Sequence, residues 1–288
     1  MIRRTLVLVA VLLTALAAAP AHAGIHYKAD TVTSGQHDSK TSVEAWVDGP
    51  NAKILFLQAD QPMLEKHEYM LTKDGGKTLY LVNPEDKTYM QWDIQGMLQT
   101  FGNVMEGMKG IVNLDFSDPK VEKLAEEPGG TILGHPTTHY RYRTSYTTTI
   151  KVMGIKRSSS TESVQDLWTT KGYSDAALGV WLRAEPPATG IEGLDKLIAS
   201  EMKKAEAGLP LKNVIVSTTT GQKGKHETTT RTETEVTLLE KASVPASTFE
   251  IPSDYKEEQM QMEGQDQEKE DNGNPFSRFL KKGKGGGR

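Results

Sequence analysis

Gly75-Gly76-Lys77-Thr78 has the residue types of a phosphate-binding loop, in which glycines wrap the backbone around an anion and a lysine meets its charge. That chemistry needs a further glycine five residues before the Gly-Lys pair, where Leu71 stands. It also needs a helix directly after Lys-Thr, so that free N–H groups face the phosphate. Leu79-Tyr80-Leu81-Val82 follow instead, β-prone and closed by Asn83-Pro84-Glu85-Asp86, and Lys77-Thr78-Leu79-Tyr80 recurs as Lys87-Thr88-Tyr89-Met90. The stretch reads as two successive hairpins. It is a turn, not a nucleotide site.

Other candidate chemistry is sparse. His135 and His139 have the i, i+4 spacing that chelates zinc on a helix, but Gly134 and Pro136 oppose a helix there. On a strand the two rings stand roughly 13 Å apart, too far to share an ion. Gly172-Tyr173-Ser174-Asp175-Ala176 echoes a nucleophile elbow without its second glycine. Arg141 and Arg143 alternate with Tyr140 and Tyr142, as on the outer face of a strand. No catalytic set emerges, so the chain is read as a non-enzyme without metal or cofactor.

Methionine is the more informative residue. Six of the 11, Met63, Met70, Met90, Met97, Met105 and Met108, fall between positions 63 and 108. Its flexible, polarizable side chain suits either ordinary packing beneath a helix or a cavity that accepts varied apolar shapes. The second reading selects Ile54, Phe56, Met70, Met90, Met97, Phe101, Met105 and Met108 as an apolar ligand site with a helical lid.

The elements that must position these residues are mostly strands. "TSVEAWVDGPNAKILFLQ" (41–58) gives two strands about Asp48-Gly49-Pro50-Asn51; Trp46 falls on the polar side of the first, and Ile54–Leu57 are apolar without alternation, as when both faces are covered. Residues 138–152 and 155–170 flank Met153-Gly154 as a long hairpin, and strands are also expected at 178–184, 211–220 and 226–241. About ten to twelve strands are expected, mostly antiparallel. Two segments read as helices. In 93–110, Ile94, Met97, Leu98, Phe101, Val104, Met105 and Met108 form one stripe, with Asp93 as N-cap. In 190–208, Ile191, Leu194, Ile198 and Met202 share a face. The resulting fold class is mainly β: one large curled antiparallel sheet, an open half-barrel, with two amphipathic helices on its concave face.

The ends differ from this middle. Arg3-Arg4, a 14-residue apolar run from Leu6 to Ala19 and Ala21-His22-Ala23 have the form of a signal peptide over residues 1–23, of bacterial type. The run is shorter than a spanning helix needs. Its removal takes the basic count from 34 to 32 against 38 acidic side chains, a net of −6, which gives no reason to expect nucleic acid. No cysteine is available for disulfides or lipidation. The address expected is the periplasm, with secretion as the alternative. Residues 24–256 form the domain, and 257–288 a charged tail too polar to pack. Its end, "NPFSRFLKKGKGGGR", is either a solvated tail or a weak hook for an anionic membrane surface.

The phrases "VEAWVDGPNAKILF", "DGGKTLYLVNPEDKTYMQWD", "ILGHPTTHYRYR" and "VPASTFEIPSDYK", in that order, resemble the family of domain of unknown function 4412 over roughly Ile25 to Lys256. That family is similar in turn to the periplasmic lipoprotein carriers and receptors of the Lol system (LolA and LolB). The resemblance implies a half-closed β-barrel with helices over a cavity that takes acyl chains. The chain departs from the carriers by entering a strand without an N-terminal helix, and no position matches a carrier's functional arginine. The function expected is a periplasmic binding or carrier protein for an acylated or apolar ligand, possible cargo including a lipoprotein, with the helix at 94–109 moving aside. The alternative is an envelope sensor that acts through a partner protein.

Overall fold

Thirteen strands form one sheet in the computed structural model, which describes residues 24–60, 66–108, 110–173, 188–204, 207–224 and 226–258. The leader, the strand expected at 178–184 and the tail past Glu258 lie outside these residues. β1 (Gly24–Ser34), β2 (Ser39–Asp48), β3 (Asn51–Ala59), β4 (Tyr69–Thr72), β5 (Thr78–Asn83) and β6 (Thr88–Asp93) run as a meander into helix α1 (Ile94–Gly107). Then come β7 (Val112–Phe116), β8 (Lys120–Ile132), β9 (His135–Val152), β10 (Ile155–Thr170), helix α2 (Glu192–Lys204), β11 (Leu209–Thr220), β12 (Glu227–Ala242) and β13 (Lys256–Glu258). The order is β13-β6-β5-β4-β3-β2-β1-β12-β11-β10-β9-β7, with β8 also on β9. Every pairing is antiparallel except β13 on β6. The count exceeds the ten to twelve expected: β8 and β13 carry no clean alternation, and β7 alternates over only five residues.

The connectivity requires the sheet to curl. β6 and β7 are ten strand spacings apart in the order, about 48 Å in a flat sheet. The chain between them holds about 21 Å of helix in α1 and a four-residue link that can span at most roughly 13 Å. Only a curved sheet brings those strands close enough, with α1 bridging the gap. No pairing among the described residues closes the gap into a barrel.

Each face has its own core. On the face toward the helices, Ile25, Tyr27, Ala45, Val47, Ile54, Leu211 and Leu239 are buried together. Lys204 of α2 identifies that face: its Nζ donates to Thr144 Oγ1 on β9 at 2.9 Å and to Gln165 Oε1 on β10 at 3.0 Å. On the opposite face Tyr69, Leu71 and Val82 pack against Phe249, with Trp46, Leu55 and Tyr89 around them. The cover there is the C-terminal segment, held by β13 and by the pairs Lys73–Glu250 and Lys87–Asp254 at 2.6 and 2.8 Å. Trp46, on the polar side of its strand by sequence, is therefore covered by the C-terminal segment, of which Ala246–Phe249 form one 3-10 turn. β3 serves both cores, Ile54 on one side and Leu55 on the other, as its unbroken apolar run implies.

Both helices begin and seat as their sequences direct. The Asp93 carboxylate accepts from Gly96 N at 3.1 Å and caps α1. A Cβ at Gly102 would lie 1.9 Å from Thr189 O, so glycine lets α1 press against the chain that enters α2. Gln95 Nε2 adds a hydrogen bond to Ala188 O at 3.2 Å. α2 is tied to the far edge of the sheet by Lys196–Asp118 at 2.8 Å.

Candidate functional site

Strand register assembles one row on the helix-facing side. Ile54 pairs with Met70, Met70 with Leu81, and Leu81 with Met90, while Phe56 lies two residues along β3 on the same face. Ile54 and Phe56 are buried, whereas Met70 and Met90 are half-buried. Met108 is apart from the row, half-buried at the end of α1, where its N–H donates to Val104 O. Met97, Phe101 and Met105 sit on α1 with side chains outside the description.

Two residues beyond Met90, on the same face, Trp92 carries the one buried side-chain polar atom without a hydrogen-bond partner among the described residues, its Nε1. A buried indole N–H normally finds an acceptor. Left alone it costs about 1–3 kcal/mol. An apolar row beside an unpaired donor has the chemistry to hold a chain that ends in a carbonyl or carboxylate.

The opposite face carries two matching constellations. His26 on β1 stacks on Trp46 of β2, with ring centroids 5.4 Å apart, and its two nitrogens meet Glu240 and Glu44, each at 2.8 Å. His139 on β9 stacks on Trp168 of β10 at 4.4 Å and meets Glu127 at 3.0 Å and Asp166 at 2.8 Å. Only an imidazolium donates from both nitrogens at once. For His26, partial burial favours the neutral ring, but hydrogen bonds to Glu240 and Glu44 and their charges outweigh it and raise the pKa above 6.5. Burial likewise disfavours a charged Glu44, yet its bonds to His26 and Lys28 hold its pKa below 4.5. These are clasps across three strands each, since both nitrogens are occupied.

The other motifs resolve into structure. Around Gly75 and Gly76, with φ of +73° and +87°, Thr72 Oγ1 accepts from Gly76 N at 2.9 Å and Asp74 accepts from Thr78 N at 3.0 Å. His135 meets the Tyr173 hydroxyl at 3.3 Å and shares nothing with His139. No cluster of three or more potential ligands for a metal occurs among the described residues. Ser174 to Ala176 lie outside them. Arg143 turns outward to Glu122 at 3.4 Å. At the far end of the long hairpin a pocket of about 490 Å³ opens, lined by Thr148, Arg157, Ser158 and Ser159, with Gln222 and His226 from the β11–β12 connection.

A family model described as a domain of unknown function (DUF4412) matches residues 56–255. No curated protein matches the chain. Solved structures similar to it include an uncharacterized conserved protein from Thermus thermophilus, at 7% identity and a TM-score of 0.38 over 83% of this chain and 91% of that one. A LolA superfamily protein from Nitrosomonas europaea aligns at 11% identity and 0.29, covering 80% and 90%. A putative outer membrane lipoprotein-sorting protein domain from Vibrio parahaemolyticus aligns at 12% and 0.27, covering 78% and 88%.

Proposed function

The chain belongs to the DUF4412 family, and we propose that it is a non-enzymatic binding protein of the bacterial envelope whose ligand is an acyl chain with a carbonyl or carboxylate head. The observation that carries this reading is Trp92: a buried, unpaired Nε1–H on the same face as Ile54, Met70, Leu81 and Met90. The alkyl chain lies along the row, where each buried CH₂ contributes about 0.8 kcal/mol. The head accepts from Trp92. In this reading α1 is the element that moves, together with the chain at Thr189 against which Gly102 seats it. Met97, Phe101, Met105 and Met108 supply its apolar stripe in this reading. An acylated protein, a lipoprotein, is the larger form of the same ligand.

Export rests on the leader at 1–23. Among the described residues no helix is long and apolar enough to cross a membrane. Native mass spectrometry of the chain purified from its own envelope fraction tests the proposal. One acylated molecule per chain, released on denaturation and depleted in Trp92→Phe, is the expected result. A bare chain, or one that carries only a second protein, counts against it.

A further inference from the structure

The tip between β9 and β10 breaks the usual rules for an exposed turn. Met153 and Gly154 both adopt left-handed backbone, φ +48° and +84°, the pattern of a two-residue hairpin turn that favours Asn, Asp or Gly at its first position. Methionine occupies that position and is 80% exposed. Ile111, Ile150, Val152 and Ile155 are exposed around it. Register sets Val152 against both Ile155 and Val112, and Met153 N donates to Ile111 O at 2.8 Å, so these side chains form one apolar apex.

Behind the apex the charges on β9 and β10 are of one sign, with Asp115 of β7, opposite Thr149, as a neighbouring acid. Lys151 lies directly opposite Lys156, a like-charge pair that opposes the hairpin it sits in. Arg157 follows, and no Asp or Glu occurs from Thr144 to Thr161. These cations stand two to four residues from the apex, about 7–13 Å along the strands. That is the depth profile of a bilayer interface, with apolar groups at the acyl boundary and cations level with the phosphates.

We propose that the β9–β10 tip docks the protein on an anionic phospholipid surface, Met153, Val152 and Ile155 entering the interface while Lys151, Lys156 and Arg157 meet lipid phosphates. Charge selects this occupant over a second copy of the chain, whose identical tip would bring its own cations against these. Arg157 also lines the pocket with Ser158, Ser159 and His226, so a headgroup phosphate finds further donors behind the apex. The residues involved are separate from the row beside Trp92, and either reading can fail alone.

The test is co-sedimentation of the full chain with vesicles of phosphatidylcholine, with and without phosphatidylglycerol. Wild type is expected to pellet with the anionic vesicles. Met153→Asn with Ile155→Thr, which suits the turn better, is expected to weaken binding by about tenfold or more. Lys151→Gln with Lys156→Gln is expected to weaken the preference for phosphatidylglycerol, about fivefold for each lysine, with Arg157 retaining the rest. Leu133→Asn, in the left-handed turn at the other end of β9, is expected to bind as wild type. The proposal is overturned if wild type ignores anionic vesicles or if the tip variants pellet unchanged. A dimer in sedimentation that the tip variants abolish also overturns it.

Discussion

At one end of the helix-facing surface Ile25, Tyr27, Val47, Leu211 and Leu239 close on one another. At the other end the same strands set Thr31 against Thr234, Thr33 against Thr232, Thr161 against Thr219 and Ser163 against Ser217, at 2.7 to 3.3 Å. Alternation is equally regular at both ends, so strand formation does not distinguish them. What differs is whether the inward group must be hidden. Paired hydroxyls satisfy each other and leave the sheet free to run past its core. The long strands thus hold the Met153 tip well away from the packed end.

Changes in the two apolar cores, at the packed end and on the opposite face, are expected to be the largest. Phe249→Ala removes the cover of the opposite face, and Leu211→Ala empties a site 1% exposed; losses of about 3–5 and 2–5 kcal/mol respectively are expected in denaturant unfolding. Ser163→Ala at the hydroxyl end should lose only about 1 kcal/mol, one modest hydrogen bond. A loss as large as that of Leu211→Ala would erase the contrast.

The His26 clasp sharpens the contrast through pH. Its folded pKa lies above 6.5, so folding favours the charged ring. The stability this adds is fully present below about pH 6.5 and is lost as pH rises through the raised value. Melting temperatures measured across that window should fall with rising pH in wild type and flatten in His26→Gln. Equal slopes would show that the ring is not held as imidazolium. The smallest expected change is at the tip. Met153→Asn should leave stability level or raise it by up to about 1 kcal/mol, because Asn tolerates the left-handed backbone. A clear loss would mean that Met153 packs on the fold.

Local pattern was enough for some of this and not for the rest. The hairpin at 138–170 was legible to its turn residues, since Met153-Gly154 interrupts two threonine-rich alternating runs. Asp93 and the stripe behind it marked α1 within a few residues. β8 was not legible: Pro128, Gly129 and Gly130 interrupt it, and it is a strand only through pairing with β9, with register shifts at Lys123/Ala125 and Pro128/Thr131. The His26–Trp46 and His139–Trp168 stacks are cross-strand neighbours, invisible before register is known. The shared face of Ile54, Met70 and Met90 needed three pairings at once. Trp92 lies in a β-prone phrase, but a missing partner has no sequence signal.

Trp92→Phe tests the ligand account most directly, because it removes the donor and leaves an aromatic, though smaller, ring in its place. A fluorescent fatty acid titrated into delipidated protein should saturate at one site in wild type and bind about tenfold more weakly in the variant. Removing the donor breaks no hydrogen bond in the empty protein, so any stability the variant loses reflects only its smaller ring. Absent saturation in wild type, or equal affinity in both, would contradict the account and leave the apolar row as ordinary core.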